Sequence, residues 1–302
     1  MWGSVLVLVS ALAFGTGPLL AKLAYRHDLD WATVVAWRFV VGAVAAWLFL
    51  MPRLVDVRPT FSRAQLAAFG ALGVFYFVNV AAFYAALELI PASTAVLIAY
   101  LYPALVAVMS MRSSRRLRGR EAWGALGLSL VGASLTVGGA PAFTDVSGVL
   151  LALAAVVLYS FYLLIADGLL VRFHDDRAPE RTAEFAAVIL TGTAVASLIT
   201  ALAIDRGGAL LAPGAAWPIL IGLGVISTAL AVRLLFAGLN RVGAPQAALI
   251  STVEPVWTVV AAAILLSETL TLLQLAGGVL VIGSVFFSQR RILMSRPAPP
   301  LA

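Results

Sequence analysis

The sequence contains no cysteine, which excludes disulfides, thiolate metal sites and cysteine nucleophiles. Histidine is almost as scarce. His27 and His174 both fall in polar connections, so no histidine cluster is expected to build a metal or catalytic centre. Charge is thin as well: 11% of the 302 residues are Asp, Glu, Lys or Arg, against about 25% in soluble globular chains. The stretch nearest to a phosphate-binding loop, Gly15-Thr16-Gly17-Pro18, lacks both the spacing and the lysine of one, which disfavours an ATP-driven pump. No cofactor is expected, and no segment is long and polar enough to form a separate soluble domain.

What is present is apolar. Hydrophobic residues make up 62% of the chain and the mean hydropathy is +1.03, far above the globular range, so the composition is that of an integral membrane protein. The net charge of +6 is read as arginine held in loops rather than as a nucleic-acid surface, and no nucleic-acid partner is expected. A hydrocarbon core about 30 Å thick takes about 20 helical residues to cross. Apolar runs of that size fall at 2–24, 31–51, 64–88, 92–111, 121–139, 146–168, 182–204, 214–238, 243–266 and 272–289. The first begins at Trp2 without a basic flank, so it reads as a retained helix rather than a cleaved signal.

Arginine placement sets the orientation. With the N-terminus inside, fifteen arginines lie in cytoplasmic loops and tail, including the run from Arg112 to Arg120, while Arg26 and Arg206 lie outside. Both termini are therefore expected in the cytoplasm. Lys22 and Arg233 read as side chains that reach for the headgroups, and Tyr25, Trp31 and Trp217 as interface anchors.

The chain also repeats itself. A shift of 152 residues brings Gly70 onto Gly222, Ala85 onto Ala237, Ala95 onto Ala247, Ile98 onto Ile250 and Pro103 onto Pro255. Two units follow, 1–143 and 144–289, with a disordered tail at 290–302. Each unit holds five runs, and five is odd, so the second unit enters the membrane upside down. The expected fold is all-α: a polytopic membrane protein with ten transmembrane helices in two inverted five-helix repeats. That architecture is common in secondary transporters, whose sites lie at mid-membrane between the halves.

The candidate site centres on Gly243–Leu266, where Glu254 sits near the middle of an apolar span. A carboxylate there costs about 2.5–3.5 kcal/mol on insertion scales, which favours a functional role over a packing one. Pro255 removes the donor that would reach the Ser251 carbonyl, and Ser251, Glu254 and Thr258 follow a helical spacing that places them on one face. The repeat mate is Tyr102-Pro103, so two broken helices are expected to meet near the midplane. Pro18, in Gly15-Thr16-Gly17-Pro18, interrupts the first helix in the same manner. Arg38 is either a cavity cation, able to clamp a carboxylate, or the ion-pair partner of Glu254. Asn79 needs either a neighbouring helix or a substrate. Tyr76, Tyr84, Tyr100, Tyr159, Tyr162 and Trp257 supply aromatic surface for flat cargo. Glu254 stands essentially alone as a mid-membrane acid, which argues against an embedded enzyme. The glycines at 124, 127, 132, 277, 278 and 283 read as helix-packing positions, and Glu268 as a helix cap.

The doubled five-helix unit, the stretch GAPQAALISTVEPVWTVVAAAILLSETLTLLQLAGGVLVIGS and the Ala-Trp-Arg-Phe of the second helix resemble the drug/metabolite transporter superfamily, specifically its EamA-type ten-helix members. The first half departs from that pattern, with Tyr102 where many repeats keep a polar or acidic residue and an Arg-rich loop in place of Leu-Ser-Glu. The resemblance implies export or exchange of small metabolites, often amino acids, across the bacterial inner membrane. It also implies a central cavity lined by helices 1, 3, 4, 6, 8 and 9. The expected partners are a small-molecule substrate, the lipid bilayer and a coupling proton, in a monomer or homodimer. A lipid flippase of the same superfamily is the alternative, and a membrane-embedded enzyme or receptor a remote one.

Overall fold

A computed structural model describes residues 2–54, 61–90, 95, 98–112, 117, 119–137, 145–172, 178–204, 214–266 and 271–294. Among these residues the regular elements are all helical, as a chain in lipid requires when every backbone donor must be satisfied internally. They are α1 (Trp2–Gly15), α2 (Gly17–Tyr25), α3 (Trp31–Leu54), α4 (Arg63–Leu89), α5 (Tyr102–Met109), α6 (Arg120–Val137) and α7 (Val146–Arg172). There follow α8 (Ala178–Ile204), α9 (Trp217–Gly224), α10 (Ala231–Val242), α11 (Ala244–Ser251), α12 (Val253–Leu266) and α13 (Leu272–Met294). Between α9 and α10 the backbone runs through a π-helical turn, Val225–Leu230.

Several helices start on local caps. Ser62 and Gln65 form a reciprocal capping box at α4, and the Asp145 carboxylate accepts from the Gly148 amide at 2.9 Å at α7. Gly243 links α10 to α11 in a single residue at φ 83°, a conformation that a side chain would strain.

Among the described residues six stretches are long and apolar enough to cross a membrane: Trp2–Tyr25, Trp31–Leu50, Arg63–Ala86, Val146–Arg172, Arg181–Ala203 and Gly214–Val242. These coincide with six of the ten expected runs. Of the other four, 92–111 is described only in part, the helix of 121–139 is Arg120–Val137 and opens on the charged pair Arg120-Glu121, 243–266 divides into α11 and α12, and Leu272–Phe287 is apolar but shorter. The last helix continues through Met294, past the expected start of a tail at 290, and residues 295–302, His174 and Glu268 lie outside the described residues.

Specific polar ties join helices among the described residues. The Ser10 hydroxyl donates to the Ala231 carbonyl at 2.7 Å, joining α1 to α10. The Trp47 indole donates to Thr191 at 2.9 Å, joining α3 to α8, and Thr193 donates to the Gly73 carbonyl at 2.9 Å, joining α8 to α4. Phe39, Phe69, Phe185 and Phe236 are fully buried and fill the core between them. Large apolar side chains such as Leu272, Val279 and Phe286 point outward on α13, as lipid-facing residues do.

The helix ends sort into two groups. At one end Phe61, Leu170, Arg181 and Asn240 line a small cleft, with the Arg181 guanidinium 5.6 Å from the Phe61 ring centroid. At the other, Trp31 stacks on Tyr84 at 5.9 Å and Trp37 meets Trp217 edge-on at 4.7 Å. Gly132 approaches the Gly277 carbonyl and Gly278 approaches Val256, as packing glycines should. A Cβ added at Gly124, Gly127 or Gly283 would meet nothing within 4 Å among the described residues, so the expected helix packing is not seen at these three.

Candidate functional site

Four helix irregularities meet inside the bundle. Thr16 separates α1 from α2, Tyr100–Leu101 precede α5, the π turn separates α9 from α10, and Thr252 separates α11 from α12. Their juxtaposition is direct. The Thr16 and Ser227 hydroxyls lie 2.7 Å apart, and a side-chain hydrogen bond joins Tyr102 to Ser251. A Cβ added at Gly15 would strike the Glu254 carbonyl, the Trp257 ring and the Thr258 hydroxyl. Only glycine allows α1 to come this close to α12.

Each break is patched locally. At the first-half break the Leu101 amide donates to the Ile98 carbonyl at 3.0 Å before Pro103 opens α5. At the second, the Thr252 amide and hydroxyl both reach the Leu249 carbonyl, at 3.3 and 2.7 Å. Proline 255 lies in the first turn of α12, where a missing N–H costs little. The span is thus two helices rather than one kinked helix. Pro18 likewise sits in the first turn of α2. The break also separates residues that an unbroken helix would keep on one face. Ser251 turns to Tyr102, while Thr258 lies 3.0 Å from the Gly15 carbonyl.

Glu254 is half-buried, and among the described residues its carboxyl makes neither a hydrogen bond nor an ion pair. Arg38, Tyr76, Tyr100, Tyr102 and Tyr159 all lie within Coulombic reach of it. Arg38 does not close on the acid. Its Nε donates to Thr228 Oγ1 at 2.9 Å and its Nη2 to the Ser227 carbonyl at 3.3 Å, so α3 is tied to the π turn. The cation also lies 5.4 Å from the Phe39 ring centroid.

The aromatics assemble around this point. Tyr76 stacks on Tyr162 at 4.6 Å, and Tyr159 meets Tyr102 edge-on at 4.9 Å and stacks on Tyr162 at 5.9 Å. Tyr84 is elsewhere, stacked on Trp31 toward the helix end. Asn79 is buried and donates to the Ala155 carbonyl at 2.6 Å, so its partner is a helix. The Trp257 indole N–H is buried with no acceptor among the described residues.

Sequence reasoning missed Thr16, Ser227, Thr228, Thr252 and Gly42. A usable signal existed: each hydroxyl interrupts an apolar run, and Gly42 follows Arg38 by one helical turn. A Cβ at Gly42 would strike Thr228, so the glycine lets α3 press against the π turn. Wide turns of this kind recur at functional sites. Glu254 is also not the only acid inside the bundle, since Asp167 and Glu184 are 6% and 7% exposed.

The sequence model of the EamA-like transporter family matches residues 1–138 and 146–289, nearly the whole chain in two blocks. The chain is 25% identical over 94% of its length to an uncharacterized transporter of Bacillus subtilis (strain 168), YcbK, covering 90% of that protein. It is 27% identical over 94% of its length to an uncharacterized transporter of Synechocystis, sll1319, covering 92% of it. An uncharacterized transporter of the archaeon Archaeoglobus fulgidus is 25% identical over 96% of this chain and 97% of its own. A solved crystal structure shares the fold with a TM-score of 0.80 at 20% identity, covering 95% of this chain and 98% of its own.

Proposed function

From the premise that the chain belongs to the EamA-like transporter family, within the drug/metabolite transporter superfamily, we propose that it exports or exchanges small metabolites, amino acids first among them. The single observation that carries this reading is the meeting of the two Pro-containing breaks. Tyr102 of the first half hydrogen-bonds Ser251 of the second beside a half-buried Glu254 whose carboxyl no group among the described residues satisfies. An acid held this way has room for cargo. Ionisable groups within membrane-spanning segments mark substrate and ion pathways.

In this reading the chain crosses the membrane ten times as two inverted five-helix repeats, in the inner membrane of a bacterium with both termini in the cytoplasm. Support comes from the 152-residue shift, which places Tyr100 on Thr252, so the two breaks fall in register. The two groups of helix ends agree with strict up-and-down alternation. Rocking of the halves about the breaks exposes Glu254 first to one side and then to the other. Glu254 carries a proton inward or receives the cargo amine, acting without a cofactor, in a monomer or homodimer.

Counterflow in proteoliposomes with labelled amino acids, nucleobases and a polyamine tests the reading. Exchange of an amino acid by the wild type, lost in Glu254→Gln, is the expected result. A protein that exchanges nothing while retaining native lipid tightly through purification contradicts it and points to lipid movement instead.

A further inference from the structure

The seam between α1 and α12 holds a donor that the fold leaves unmet. The Trp257 indole N–H is sealed from solvent and meets no acceptor among the described residues. A donor buried in this way carries the full penalty of its desolvation. The ring is also pressed against α1: a Cβ added at Gly15 would lie 2.9 Å from Trp257 Cδ1, the atom bonded to that nitrogen. The closed seam therefore gives up a hydrogen bond that the indole would make wherever water could reach it.

A polar contact across the same seam can be released at no loss to its donor. Thr258 Oγ1 lies 3.0 Å from the Gly15 carbonyl and 3.0 Å from the Glu254 carbonyl of its own helix. A hydroxyl has one hydrogen. When α1 withdraws, Thr258 keeps the Glu254 carbonyl as its acceptor, and water can serve Gly15. The course of the chain fixes which side would open. Asn240, near the end of α10, lines the cleft with Phe61 and Arg181, and α11 starts just beyond it, so α12 runs on toward the opposite end. From the break at Thr16, α2 runs to Tyr25, shortly before Trp31, whose ring stacks on Tyr84 at that opposite end. Trp257 and Thr258 thus stand one turn beyond Glu254 on the Trp31–Tyr84 side.

We propose that the seam between the α1–α2 break and α12 is the gate on the Trp31–Tyr84 side of the bundle, closed in this structure, and that the unmet Trp257 N–H biases it toward opening. The inference rests on the transporter reading for its purpose and adds to it where the path opens and what favours that opening. A group that is bare in one state and hydrated in the other shifts the balance between them by the difference. Glycine at position 15 lets the seam close tightly, and the bare indole keeps the closed state from becoming a trap.

The test uses the full chain in oriented vesicles. Thr258→Cys places a thiol in the seam of a chain that has no other cysteine, and a membrane-impermeant thiol reagent applied to one face reads its opening. Benzothienylalanine at position 257 keeps the shape of the indole and replaces its N–H with sulfur. Labelling is expected from the face that carries the Trp31–Tyr84 end, and the replacement is expected to slow it about tenfold. Trp257→Phe, which also lacks the N–H, is expected to slow it likewise and serves if the first variant does not fold. The same replacement at Trp47, whose N–H donates to Thr191 at 2.9 Å, is expected to leave labelling at position 258 unchanged. Equal labelling with and without the Trp257 N–H overturns its role. Labelling from neither face, or from the opposite face alone, overturns the gate. Equal slowing by the Trp47 replacement shows general stiffening and overturns the bias. Labelling does not depend on cargo, so each of these results beside an active wild type in counterflow leaves the transporter reading standing. The expected labelling in a protein that exchanges nothing supports the gate and overturns the transporter reading alone.

Discussion

The two helix breaks occupy equivalent positions in the repeat, yet they carry different chemistry. In the first half, Tyr100–Leu101 precede Tyr102-Pro103, and Tyr102 is buried against Tyr159 and Ser251. In the second, Thr252 precedes Glu254-Pro255, and Glu254 is half-buried with its carboxyl unsatisfied among the described residues. The backbone solution is shared: a proline in the first turn of the restarted helix, preceded by a short turn bond. The side chains divide the labour. A phenol closes onto the opposite half, and an acid stays open. The 152-residue shift therefore keeps the helix break in both halves and an open acid in only one.

The sharpest way to break this comparison is to neutralise the open side. Glu254→Gln keeps shape and removes charge, and is expected to cost about 1.5–3 kcal/mol of cargo binding, on the order of ten- to a hundredfold in exchange. Equilibrium binding of the exchanged cargo measures it. Exchanging the two residues, Tyr102→Glu with Glu254→Tyr, is not expected to restore exchange, because position 102 is closed in by Tyr159 and Ser251.

Smaller effects follow from the supports. Gly15→Val places side-chain atoms where the Glu254 carbonyl and Trp257 now lie, and overpacking of this kind costs about 1–3 kcal/mol. A lowered Tm in nanodiscs, together with lost exchange, is the expected outcome. Thr252→Val removes the hydroxyl that serves the Leu249 carbonyl at 2.7 Å and is expected to destabilise by about 1–2 kcal/mol, read from the same Tm series. Tyr102→Phe deletes only the bond to Ser251. About 1 kcal/mol is expected, with counterflow slowed a few-fold rather than abolished.

Much of this was legible in the sequence because lipid simplifies the problem. Apolar runs must become helices, and proline inside a run must break one, so the interruptions at Pro18, Pro103 and Pro255 could be placed before the structure. The position of Glu254 followed from the cost of burying a charge. The π turn was not legible. VISTAL carries no proline or glycine, and its widening depends on α3 pressing Gly42 against Thr228, a contact set by tertiary packing. For the same reason Arg38 could be placed in the second helix but not assigned a partner. Its two acceptors lie about 190 residues away in sequence, beyond what local spacing encodes. Asn79 shows the reverse: its need for a partner was clear, and only the fold shows that a helix carbonyl, Ala155, meets it.

The most direct test of the central claim uses the absence of cysteine. Single cysteines at Tyr100 and Ser251, one in each half, are labelled with a membrane-impermeant thiol reagent applied to either face of oriented vesicles. If the two breaks line one cargo path, both positions are modified from both faces during exchange, and the exchanged amino acid slows the reaction at each. Modification from a single face only, or labelling that cargo does not slow, would contradict a shared site that opens alternately across the membrane.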